Sequence, residues 1–217
     1  MNARSRLAGR RSQSERRDTA RTAILEAAIG LLAEGGYVSM TMADIGERAG
    51  CSRSLATHYF GTKPQLIAAV IAYIVDRDPD RIPDPDLRGV DRLRAEAAIV
   101  FRGLRDRPLP VRAYHAIAHQ AATAVPEILP AIHRQNLAFR DLIRQALREG
   151  VDDGDLLAEL DIEASAIALT AMLRGIVWEW FSDGNLDLPA SERALEYQIR
   201  AWEVGWRITE HAVRRRR

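Results

Sequence analysis

Cysteine occurs once in this chain of 217 residues, as Cys51, so an internal disulfide is excluded and no cysteine cluster can hold a metal. Lysine also occurs once, as Lys63, which leaves 30 of the 31 basic residues as arginine. Aromatic residues make up only 6%. No apolar run approaches the roughly 20 residues of a membrane span. The arginine-rich start MNARSRLAGRRSQS has no apolar segment of the kind that a secretory signal carries. Nowhere does alternation of period two persist, which argues against half-buried strands. These absences leave an all-α, soluble, cytoplasmic protein without a cofactor signature as the expectation.

What is present is unevenly distributed. The formal net charge is +1, but residues 1–63 hold ten basic and six acidic side chains and residues 64–217 hold 21 and 24. A basic head on a mildly acidic body suits contact with a polyanion; solvated arginines on a polar arm are the plainer explanation. The spacing predicts a disordered arm over 1–15 and a helix over about 16–34, stopped at Gly35-Gly36. Three shorter helices follow over about 42–49, 53–60 and 63–76. Thr41, Ser52 and Thr62 stand at their N-caps, and Gly50 and Gly61 at the turns. Pro64 fits a first turn, where its missing N–H costs nothing. RDPDRIPDPD, 77–86, reads as a linker, and helices over about 87–106, 109–123, 127–150, 161–183 and 190–213 complete the chain.

Two short helices joined by a glycine-containing turn make a helix-turn-helix, in which one helix crosses the DNA backbone and the next enters the major groove. The run TMADIGERAGCSRSLATHYFGTKPQL carries that pattern. It resembles the N-terminal signature of the TetR family of transcriptional repressors through Thr41, Ile45, Ala49-Gly50, Ser52, Tyr59-Phe60, Lys63 and Leu66. Gly46, Cys51 and Ala56 depart from the usual pattern and put packing, not DNA contacts, in question. IRQALREGVDDGDL and DIEASAIALTAMLRGIVWEW resemble one branch of that family, the repressors similar to the betaine/choline regulator.

The reading of the residues together with this resemblance gives a DNA-binding domain over 16–76 and an effector-binding and dimerisation domain over 77–217. DNA contacts are expected from Thr41, Ser52, Arg53, Ser54, Thr57, His58, Tyr59 and Lys63. Arg53 suits guanine O6/N7, Thr57 a thymine methyl or a phosphate, and Tyr59 and Lys63 phosphates. A repressor also needs a release signal, for which the resemblance implies a small-molecule effector. Phe101, Tyr114, His115, Ala118, His119, Phe139 and Trp178 are the expected lining of its pocket. Ala168, Ala171, Met172, Gly175, Leu195, Ile199, Trp202 and Trp206 form the expected homodimer interface, whose stripe in the last helix repeats at four, three and four residues. Such a dimer predicts a pseudo-palindromic, double-stranded operator.

Two rival readings stand beside this one. His115 and His119 at i, i+4, joined by His133, are spaced for a metal-dependent enzyme, though no acidic residue lies in 111–126. A helical protein binding DNA without sequence preference also fits the basic head.

Overall fold

The computed structural model describes residues 13–76, 86–106, 108–197 and 199–200, all helical or in short connections. Most of the expected arm, most of the 77–86 linker, Trp202 and Trp206 lie outside these residues. The elements are α1 (Gln13–Ser39), α2 (Met42–Arg48), α3 (Arg53–Phe60), α4 (Lys63–Asp76), α5 (Gly89–Asp106), α6 (Pro108–Thr123), a 3-10 turn (Pro126–Ile128), α7 (Leu129–Asp152) and α8 (Ile162–Ser182). Helical backbone also covers 188–197 and 199–200. Asp161 caps α8 by accepting from the Ala164 N–H at 2.9 Å.

Of the apolar stripe of α1, Ile24, Leu25, Ala28 and Leu32 are buried together with Ile29, and Leu31 is half-buried against the same core. Helical geometry breaks at Gly36, whose φ of 75° is open to glycine at little cost, and one further turn runs to Ser39. The break frees the Tyr37 N–H from the helix, and it donates to Gln120 Oε1 on α6 at 2.6 Å.

Two hydrophobic cores result, and they do not divide where the linker does. The first joins α1–α4 to Ala113, Ile117 and Ala121 of α6 and continues through Val125 and Ile128 to Ala131 and Ile132. The second joins α5, α8, the rest of α7 and the last helix around Phe101, Ile143, Leu147, Leu169 and Leu195. The expected domains, 16–76 and 77–217, therefore share a core across the linker. Burying α6 along α1 makes a continuous apolar connection between the two halves of the chain.

Candidate functional site

Local hydrogen bonds fix where α2 and α3 begin. Asp44 N–H donates to Thr41 Oγ1 at 3.2 Å, and Thr41 N–H donates back to Asp44 Oδ2 at 2.8 Å, a reciprocal capping box. The Thr41 hydroxyl also donates to Asp44 Oδ2 at 2.8 Å, and this bond together with that from the Thr41 N–H holds the Asp44 carboxyl below its ordinary value. Ser52 caps α3 by accepting from the Leu55 N–H at 3.2 Å. Between the helices, Gly50 takes φ 68° and the Cys51 N–H closes the turn on Gly46 O at 2.8 Å. A Cβ on Gly46 would lie 3.0 Å from Arg53 N and from Cys51 O. The glycine is thus a point of close helix–turn approach, a reason that its effect on helix propensity does not reveal.

This packing turns α3 so that Ala56 is fully buried while Arg53, Ser54, Thr57 and His58 stay exposed, with Ser52 and Thr41 exposed at the helix starts. Tyr59 is half-buried and meets His58 edge to face at 5.7 Å. Phe60 receives the Arg21 guanidinium of α1 at 5.4 Å, and Arg48 at the end of α2 makes a two-pronged ion pair with Glu34, at 2.7 and 2.8 Å.

Lys63 has a partner that its position in the sequence does not reveal. Its Nζ lies 3.9 Å from the centroid of the Tyr37 ring. Desolvation pulls the ammonium below the ordinary lysine value, against the carboxylates of Asp44 and Glu127. The single lysine is therefore a half-buried cation at the meeting point of α1, α2, α4 and the 3-10 turn.

A cavity of about 220 Å³ lies between α4, α5, α6, α7 and α8. Tyr114, His115 and Phe139 line it as expected; Phe101, Ala118, His119 and Trp178 do not. Phe101 is 1% exposed inside the second core, and Ala118 packs on the first. His119 stacks on Trp178 at 5.6 Å, and Trp178 is 44% exposed on the outside of α8. The i, i+4 pair does share a helix side, but only its first member reaches the cavity. His133 is exposed, and among the described residues no group of three His, Cys, Asp or Glu could hold a metal ion. The histidine-based enzyme reading fails on that geometry.

Sequence reasoning missed the cavity's polar residues Glu96, Gln135, Asn136 and Arg174. A lone arginine within the otherwise apolar run ALTAMLRGIVW was the available signal. His115 is pushed down to about 4 by burial, with the positive charge of Arg174 adding to the effect, so its imidazole is neutral near pH 7.

The expected interface residues also separate. Ala168, Ala171 and Gly175 are exposed and, with Ile167 and Trp178, run along the outer side of α8. Met172 packs against the second core. Leu195 and Ile199 are each 2% exposed within that core, so these two members of the stripe are used inside the monomer.

Residues 24–70 match the family of bacterial regulatory proteins, tetR family. The transcriptional regulator BetI of Rhizobium meliloti (strain 1021) is 30% identical over 144 residues, covering 64% of this chain and 70% of BetI. The chain belongs to the TetR family. Among solved structures, a TetR-family regulator from Rhodococcus sp. superposes with a TM-score of 0.71 at 23% identity, over 86% of this chain and 99% of that one. SmeT, solved as a complex with triclosan, gives 0.67 at 24% identity, over 84% and 90%. Both likenesses show the fold. As a TetR-family protein the chain is a DNA-binding transcriptional regulator and not an enzyme. No helix among the described residues is long and apolar enough to cross a membrane.

Proposed function

We propose that this regulator is a homodimeric repressor that binds a pseudo-palindromic operator and is released by a small molecule in the cavity. The observation that carries the reading is the double use of α6. One side of this helix gives Tyr114 and His115 to the cavity; another buries Ala113, Ile117 and Ala121 beside α1 and accepts the Tyr37 N–H through Gln120. Helix α4 repeats the arrangement, with Ile74 and Val75 at the cavity and Lys63 beside α3. A ligand that shifts either helix moves the base of the reading head.

In this reading Arg53, Ser54, Thr57 and His58 face base edges, and Thr41, Ser52, Tyr59 and Lys63 serve the phosphates. Lys63 also works from its seat on Tyr37, which fixes the ammonium near the α3–α4 turn. The partner protomer docks along the outer side of α8 through Ala168, Ala171 and Gly175, with Ile167 and Trp178 as the large apolar members. SmeT's complex with triclosan supports a small-molecule signal within the same fold.

The experiment is a linkage measurement. Compounds that raise the melting temperature of the full chain are tested for operator release, and each compound's Kd is measured with and without saturating operator. The two factors must be equal, because coupling between two binding sites is reciprocal. A compound that fills the cavity and leaves operator affinity unchanged contradicts release by that compound.

A further inference from the structure

We propose that the cavity selects a small organic anion, a carboxylate on an apolar body, with Arg174 as its counter-ion. The inference rests on the reading of this cavity as the effector site and adds the chemical class of the effector.

Arg174 projects into the cavity from α8 and sits between Leu173 and the apolar helix neighbours Ile176 and Val177. Several arginines of this half are neutralised by acids: Arg144 by Glu163 and Asp141, Arg92 by Glu149, Arg105 by Glu192, Arg94 by Asp91 and Glu196. Among the described residues Arg174 has no such ion pair. Its surroundings deepen the imbalance. Arg140 acts on it repulsively, and the other electrostatic influence comes from the Tyr114 phenol. Burial holds the guanidinium below its ordinary value. The adjacent His115 is neutral and supplies no counter-charge. Glu96 also lines the cavity; it is buried and has an interaction of its own while its Oε1 has no hydrogen-bond partner among the described residues, and it is not among the groups acting on Arg174.

A cation taken partly out of water without an acid beside it is stabilised by any anion that arrives with the same geometry. Guanidinium offers a planar fork that matches a carboxylate in two parallel hydrogen bonds. Around it the walls are largely apolar, with Ile99, Val100, Leu104, Val111, Phe139 and Leu142, and Tyr114, His115, Gln135, Asn136 and Glu96 provide the other polar groups. The cavity volume of about 220 Å³ corresponds to roughly seven waters at ~30 Å³ each, room for a medium-chain or monocyclic acid.

Calorimetric titration of the full-length protein tests this with octanoate and cinnamate, against octanol, cinnamyl alcohol and choline as neutral and cationic controls. The proposal expects the two carboxylates to bind at least tenfold tighter than the matching alcohols and choline. Arg174→Gln should lose at least tenfold in carboxylate affinity, and Arg174→Lys, which keeps the charge without the fork, should fall between. Melting curves verify that each variant folds; if Arg174→Gln does not, the Lys variant and the ligand panel decide. Preferential binding of choline or the alcohols, unchanged carboxylate affinity in a folded Arg174→Gln, or no carboxylate binding would each overturn the proposal. Operator affinity is measured separately. Carboxylate binding without operator release would leave this inference standing and sink the release mechanism; release by a neutral or cationic compound would do the opposite.

Discussion

At the residue scale, the proposed function gives two cations of the reading head, an arginine and a lysine, separate tasks. Arg53 is exposed at the start of α3, free to pair with guanine, whereas Lys63 is held on the Tyr37 ring. Arg53→Ala should therefore relax preference at one base pair, by about 1–3 kcal/mol. Lys63→Ala should weaken binding to all sequences alike and lower the salt slope by about one. Competition titrations over a salt series measure both, and equal loss of specificity in the two variants would contradict the division. His115 carries a second prediction. Its folded value of about 4 lies below the ordinary 6.5, so its contribution to stability is complete above pH 6.5 and lost as pH falls towards 4. At about 1.4 kcal/mol for each pKa unit, the loss is on the order of 3 kcal/mol. Thermal melts of the wild type should fall more steeply than those of His115→Gln across that range; parallel curves would remove His115 from the account.

At the element scale, α6 is the part on which the account depends. Its Gln120 accepts from the Tyr37 N–H where α1 breaks at Gly36. Gln120→Ala orphans that donor and should cost about 1–3 kcal/mol in global stability by denaturant melts. It should also reduce the effect of a cavity ligand on operator affinity while leaving ligand affinity nearly unchanged. The elements themselves were largely legible in the sequence, because Thr41, Ser52, Gly36 and Gly50 act through bonds to neighbours a few residues away. The role of α6 was not legible. Its contact with α1 joins residues 83 apart in sequence, and neither periodicity nor capping carries that information. The same limit explains the cavity. Spacing places His115 and His119 on one side of a helix, but only the packed neighbours decide that one meets the cavity and the other meets Trp178. Leu195 and Ile199 were rightly apolar in pattern, yet an apolar stripe does not state whether it closes a monomer or joins two.

At the scale of the whole molecule, a reader and a cavity share one continuous framework. The shared first core, reaching from α1 to the start of α7, makes rigid transmission between them physically reasonable. In the proposed homodimer, the interface sets the spacing of two readers. Ala171 lies exposed at the middle of the α8 stripe, among small residues that allow close helix approach. Ala171→Glu should give a folded monomer in sedimentation experiments and a large fall in operator affinity; an unchanged dimer would place the interface elsewhere. The most direct test of sequence-specific, two-fold reading is selection of binding sites from random oligonucleotides with the full-length chain. Two inverted half-sites whose centres lie about one helical turn or a multiple of it apart should be enriched, with the preference relaxed at one position by Arg53→Ala. A selected pool no tighter than bulk DNA, or one with a single unrepeated site, would contradict it.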